Sequence, residues 1–393
     1  MKRFTVATVI SVMVFALACP PAAAQFALEV AARAYSLSDF QSGDTIISEN
    51  GDEQMVPASL VKIMTLKLAF EAIEKGVAGL DDPVPVSQKA WRTGGSKMFI
   101  LVNTTVPLRE LLAGIAIVSG NDACVAVAEY LAGTEEAFVQ LMNERAKDLG
   151  LTRTRFVDSH GLSDQNVTTA NDLIRLARAY ITDHPEALQL HSQRTFTYGA
   201  PGESPITQQN RNRLLGTYEG ADGLKTGFTE AAGYNLLGTA ERDGQRFIAV
   251  VLGVSARTME EGEIKRAEEL AKLLNFGFRN FVTRTVATPE QVSRQVRVYR
   301  GTSDWAQVGI TSSVIATLRR GEEDAVRLVT TINEPLLAPL KKGDPVGTLN
   351  IVAGTREIKS LDIVALEDVP QAGLLKRLLD GIRLFFARLT RRA

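Results

Sequence analysis

Ser59-Leu-Val-Lys62 sets a hydroxyl and an amine three residues apart at the start of an apolar, helix-patterned stretch, where both would share one helical face. A serine hydroxyl is a poor nucleophile without a base, and a lysine desolvated in a cleft is neutral enough to take its proton. A helix N-terminus adds a field that favours developing negative charge. The same pair also fits a helix cap followed by a surface lysine. Ser119-Gly120-Asn121 puts a hydroxyl and an amide on one short turn, where both can face a cleft; its bland reading is a polar turn. Lys225-Thr226-Gly227 supplies a cation, a hydroxyl and a glycine that lets a substrate approach the backbone, or else it is a hairpin edge.

These residues need elements to hold them. Val61, Met64, Leu68 and Ile73 recur at helical spacing, and Leu111, Leu112, Ile115, Ile117 and Val118 form an apolar block ahead of Ser119, which predicts a buried helix there. Thr169-Ala-Asn-Asp172 opens a further helix through Leu173, Leu176 and Tyr180, ended by Pro185. Tyr234 to Thr239 and Arg246 to Val254 have the lengths of buried strands, and Glu261 to Leu274 reads as a helix returning to them. The body is therefore a mixed α and β (α+β) domain. After about Thr285 the pattern becomes short β-rich runs, Val296 to Val298, Leu328 to Ile332, Val346 to Val352 and Ile358 to Leu366, separated by glycine-containing turns. This predicts a small all-β domain with a spacer or packing role.

Taken in series, S-x-x-K, S-x-N and K-T-G resemble the motif set of the penicillin-recognising serine enzymes. More closely, Pro57-Ala-Ser-Leu-Val-Lys-Ile-Met-Thr65, Val118-Ser-Gly-Asn-Asp-Ala-Cys124, Asn210-Arg-Asn212, Asp222-Gly-Leu-Lys-Thr-Gly227 and Ala232-Gly-Tyr-Asn-Leu236 are similar to the low-molecular-mass penicillin-binding proteins that are serine-type D-alanyl-D-alanine carboxypeptidases. The resemblance implies a β-lactamase/transpeptidase-like domain, with a helical cluster against an antiparallel sheet and the active site between them, over residues 25–284. It further implies a small β domain over 285–369 and a C-terminal amphipathic helix over 370–393. The substrate would be the peptidoglycan stem peptide, cleaved through an acyl-enzyme, with β-lactams as inhibitors and no metal or organic cofactor. Ser59 would be the nucleophile, Lys62 its base, and Ser119 and Asn121 the proton path and the holder of the peptide amide. Lys225, Thr226 and Gly227 would receive the substrate carboxylate along the strand edge. Arg211 and Arg266 match positions near the carboxylate pocket, and the backbone N–H groups of Ser59 and Phe228 would form the oxyanion hole. Many family members carry histidine where this chain has Phe228, a change that leaves a backbone donor intact.

Three other functions compete for the same sequence. A class A β-lactamase would share the motifs, but no Glu-x-x-Leu-Asn run lies between Ser119 and Lys225 and the chain is longer by a β domain. A zinc peptidase needs clustered ligands, and His160, His184 and His191 show neither H-E-x-x-H nor cysteine pairing. A non-enzymatic β-lactam sensor or wall-binding protein would not need Ser59, Lys62, Ser119 and Lys225 all intact.

The 393 residues carry 44 Lys+Arg against 45 Asp+Glu, a net charge of −1 that gives no general attraction to nucleic acid. Lys2 and Arg3, the apolar run Phe4 to Cys19, Pro20-Pro21 and Ala22-Ala23-Ala24 predict a cleaved secretory signal over residues 1–24. Cleavage would leave Cys124 as a lone thiol beside the cleft, expected to behave as a small buried hydrophobe. From Pro370 onward Lys376, Arg377, Arg383, Arg388, Arg391 and Arg392 face a single acid, Asp380, for a net charge of +5. On a helical wheel the leucines, Ile382, Phe385 and Phe386 gather on one arc, with Leu384 and Arg392 alone on the wrong side. That combination predicts a helix lying on an anionic membrane surface. The expected location is periplasmic, peripherally bound to the outer leaflet of the cytoplasmic membrane.

Overall fold

The run Gln245–Val254 is buried along its whole length because both of its faces are covered. Side chains alternate across a strand, so Ile248, Val250 and Leu252 enter one core while Phe247, Ala249 and Val251 enter another. This strand, β5, is the centre of a five-stranded antiparallel sheet in the order β2-β1-β5-β4-β3, with β1 at Ala34–Asp39, β2 at Thr45–Glu49, β3 at Ala221–Thr229 and β4 at Gly233–Arg242. A computed structural model describes residues 28–390, with side chains described as far as Phe386. The expected secretory signal lies outside the described residues.

Among the described residues seven main helices complete the fold: α1 (Lys62–Glu74), α2 (Leu108–Ile117), α3 (Asn121–Ala132), α4 (Glu135–Asp148), α5 (Ala170–Asp183), α6 (Met259–Asn280) and α7 (Leu374–Thr390). Helices α1 to α5 form the cluster on one face of the sheet. Helix α6 crosses the other face through Leu270, Leu273 and Leu274. It starts earlier than its apolar pattern suggested, because Thr258 caps it by accepting from the Glu261 amide at 3.2 Å. Thr169 caps α5 in the expected way, accepting from Asp172 N at 3.1 Å.

Beyond α6, Phe281–Ala287 pairs with Val314–Arg319, and six further strands form a second sheet around Val296, Val298, Leu349, Ile351 and Ile363. The first of these strands runs across the boundary expected after residue 284. Polar contacts from the β1–β2 hairpin tie the two units together. Thr283 Oγ1 donates to the Asp39 carboxylate at 2.5 Å, the Ser42 and Thr317 hydroxyls lie 2.7 Å apart, and Lys359 pairs with Asp44 at 3.1 Å.

Candidate active site

The turn carrying Ser59 is a single 3-10 turn, Ala58–Val61, that runs directly into α1. It sits at the end of the sheet where the edge strand β3 passes alongside. Glycine at 227 is what permits this approach: a Cβ there would lie 2.8 Å from the Pro57 carbonyl oxygen and 3.3 Å from Ser59 N. From the far side, Asn235 Nδ2 donates to the Val56 and Pro57 carbonyls at 3.0 and 3.2 Å, and its Oδ1 accepts from Gly253 N. Asn235 thus pins the segment before Ser59 to the sheet. Ala58 adopts a left-handed backbone conformation, φ 49°, the local strain that such a tight presentation of the next residue requires.

Lys62 is fully buried, and its amine meets three oxygens: Ser59 Oγ at 3.0 Å, Asn121 Oδ1 at 2.7 Å and the His160 carbonyl at 2.5 Å. Burial pulls its pKa below the ordinary lysine value. A carbonyl and an amide oxygen can only accept, so in the neutral amine they take the two N–H bonds. The lone pair is then left facing the Ser59 hydroxyl. Asn121 is itself held in this orientation by donating from Nδ2 to Gly94 O at 2.7 Å.

Ser119 occupies the three-residue link between α2 and α3, with φ 64°, and lines the same cleft as Ser59. The expected loop is therefore a tight junction between two helices. Lys225 and Thr226 are buried on β3. Lys225 is held well below its usual pKa, first by burial and then by the nearby Lys62, Arg266 and Arg211. Arg266, from α6, donates to Gly227 O at 3.3 Å and to Arg211 O at 3.2 Å, while its Nε is buried with no protein partner. Burial lowers its pKa to about 10. Arg211 reaches Ser96 Oγ at 3.0 Å across the cleft mouth. Arg211 and Arg266 line the cleft, with Lys225 buried behind them, so this end of it is suited to an incoming carboxylate. Phe228 lies at the rim with its ring stacked on Tyr234, centroids 4.3 Å apart.

Two supports went unread in the sequence. The His160 carbonyl is a backbone group and leaves no motif. Its loop is shaped by Asp158, whose carboxylate accepts from the amides of His160, Gly161 and Ser163, and by Glu135, which accepts from Ser159 N and Oγ. The Asp158-Ser-His-Gly161 run carries turn-forming residues, a signal the sequence reading passed over. Cys124 is fully buried, as expected for a small hydrophobe, and burial pushes its thiol up to about 12.

The arrangement can activate a serine, receive a carboxylate and place an amide carbonyl between them. A sequence profile described as D-alanyl-D-alanine carboxypeptidase, Peptidase S11, matches residues 21–256, and one described as the penicillin-binding protein 5 C-terminal domain matches residues 281–371. The D-alanyl-D-alanine carboxypeptidase DacC of Escherichia coli is 38% identical over 366 residues, covering 91% of this chain and 89% of that protein. Among solved structures, penicillin-binding protein 5 of Haemophilus influenzae superimposes with a TM-score of 0.81 at 33% identity, over 87% of this chain and 98% of that one. Penicillin-binding protein D2 of Listeria monocytogenes, in its ampicillin-bound form, superimposes with a TM-score of 0.56 at 32% identity, over 64% of this chain and 99% of that one. With its serine, buried lysine and cation-lined cleft in place, the chain belongs to the Peptidase S11 family of D-alanyl-D-alanine carboxypeptidases.

Proposed function

We propose that this protein removes the terminal D-alanine from peptidoglycan stem pentapeptides through an acyl-enzyme on Ser59. The observation that carries the reading is the Lys62 amine, whose two acceptor partners leave its lone pair to Ser59 Oγ. Lys62 takes the hydroxyl proton as Oγ bonds to the carbonyl carbon of the penultimate D-alanine. The backbone N–H groups of Ser59 and Phe228 receive the oxyanion. The C–N bond to the terminal D-alanine then breaks, and its nitrogen takes a proton by way of Ser119. Water hydrolyses the ester and regenerates Ser59. A β-lactam follows the first half of this course, and its ring-opened product stays on the serine. Mass spectrometry of a wall pentapeptide incubated with the enzyme tests the reading: the expected product is the tetrapeptide plus free D-alanine. Covalent penicillin capture with an untouched pentapeptide would favour the sensor instead.

Lys225 and Thr226, with Arg211 and Arg266 behind them, hold the substrate carboxylate. Lys225→Ala is therefore expected to reduce turnover of a free-carboxylate substrate at least tenfold more than turnover of its C-terminal amide. Parallel kinetics on the two substrates check this, and equal losses would remove Lys225 from carboxylate binding.

Helix α7 anchors the enzyme to the outer leaflet of the cytoplasmic membrane, in the periplasm where the stem peptides lie. Among the described residues no helix is long and apolar enough to cross a membrane. Support for an anchor lying on the surface comes from the apolar arc, Leu374, Leu375, Leu378, Leu379, Ile382, Phe385 and Phe386, which is exposed. Basic residues of the tail that are free to face an anionic surface add ~1 kcal/mol each. Truncation after Val369 should give an enzyme that keeps penicillin binding and no longer sediments with anionic vesicles.

A further inference from the structure

Helix α7 is built into the β domain. Asp380 is the only acid in the tail and is only 1% exposed. Its Oδ2 accepts from the Arg300 backbone amide at 2.7 Å, and its Oδ1 accepts from Arg383 at 3.4 Å. The lead-in to the helix is tied down as well: Ala372 N donates to Arg300 O at 2.8 Å, and Gln371 bridges to Gly301. One turn earlier than Asp380, Lys376 pairs with Asp304 at 2.6 Å. Lys376, Arg377, Asp380, Gly381 and Leu384 thus form the face turned to the β domain, and the apolar arc points away from it. A buried carboxylate that satisfies a backbone N–H is costly to pull away, because both groups lose their partner.

Next to this contact stands a residue with no role in the core. Trp305 follows Asp304 directly and is 50% exposed; its cross-strand neighbour is Arg297. Lys376 pairs with Asp304, the residue before Trp305, and Arg297 lies opposite Trp305 on the neighbouring strand, so two cations stand beside the exposed ring. An exposed tryptophan among cations is what an anionic lipid interface recognises, with the ring at headgroup level and the cations on phosphates.

We propose that the lipid-facing surface is composite, with α7 docked on the β domain through Asp380 and the docked geometry setting Trp305 and Arg297 against the headgroups of an anionic bilayer. The proposal rests on α7 being the membrane anchor, and it makes the orientation of the whole enzyme on the membrane a property of the fold. The chain has two tryptophans, so a full-length Trp91→Phe protein reports on Trp305 alone. With phosphatidylglycerol/phosphatidylcholine vesicles its emission should shift to the blue and be quenched by lipids brominated near the headgroup. Adding Asp380→Ala should leave vesicle sedimentation and penicillin labelling in place and remove the shift, because the helix binds lipid while the domain swings free. If that variant fails to bind penicillin, Lys376→Glu, which opposes Asp304, provides the same comparison. Sedimentation of the Trp91→Phe protein without any Trp305 response would overturn the composite surface while leaving the anchor intact. An undiminished response in the undocked variants would overturn the role of Asp380. Absence of sedimentation would remove the anchor, and the inference with it.

Discussion

Arginine in place of Lys62 leaves Ser59 without a base, and acylation by a fluorescent penicillin is expected to fall roughly 10²–10⁴-fold. Arginine remains protonated at any pH the protein survives, so it cannot accept the hydroxyl proton. Its planar fork also cannot meet Ser59 Oγ, Asn121 Oδ1 and the His160 carbonyl from one nitrogen. The pH dependence separates these two losses. Burial lowers the Lys62 pKa, so its neutral, active form is reached at lower pH than for an ordinary lysine. The wild-type acylation rate should rise with pH through that lowered value and fall below it. The Lys62→Arg rate should be flat across the same range. Ser59→Ala sets the floor, with no covalent adduct at any pH. A pH-dependent rate in the arginine variant, or an adduct on the alanine variant, would contradict the roles assigned to these residues.

What could be read from the chain alone follows how each element is stabilised. Ser59, Lys62, Ser119, Asn121 and Lys225 stood out as three short side-chain motifs, each with a bland reading of its own, and only their resemblance in series suggested roles for them. Gln245–Val254 was legible because burial on both faces makes it continuously apolar. Its neighbour β1 was not, since Ser36, Ser38 and Asp39 interrupt the pattern although all three are buried. Asp39 is tolerated there because the Ser42 amide, at 2.7 Å, and the Thr283 hydroxyl satisfy it, and Thr283 comes from a distant strand that no local window can see. Arg266 was placed near the cleft only by resemblance; the turn of α6 that carries it also brings Gly262 against the Tyr234 ring, so close that a Cβ there would lie 2.2 Å from it. Leu384, the leucine on the wrong arc of the tail, faces the β domain and is half-buried. An isolated wheel treats every polar position as facing water, whereas the polar face of α7 is itself docked.

Gly161 gives the sharpest test of how the turn that carries Ser59 is shaped. Its φ is 89°, and a Cβ built on it would lie 1.9 Å from the Ala58 carbonyl oxygen, 2.4 Å from the Ala58 carbonyl carbon and 3.0 Å from Ser59 N. All three are backbone atoms of the turn, so no rotamer change can relieve the overlap. Ala58 is already in a left-handed conformation, and the loop behind Gly161 is held by the Asp158 carboxylate. Alanine at 161 must therefore displace Ser59, or move the His160 carbonyl away from Lys62. The left-handed conformation alone costs of order 1–3 kcal/mol for a residue with a side chain. Gly244→Ala isolates that part, since Gly244 has φ 74° and open space where its Cβ would stand. The expected result is a modest drop in Tm with normal penicillin acylation for Gly244→Ala. For Gly161→Ala a larger drop in Tm should accompany at least a hundredfold loss of acylation rate. Thermal melts and labelling rates on the two variants decide it: if Gly161→Ala acylates like the wild type, the close packing of this loop on the Ser59 turn is not what positions the nucleophile.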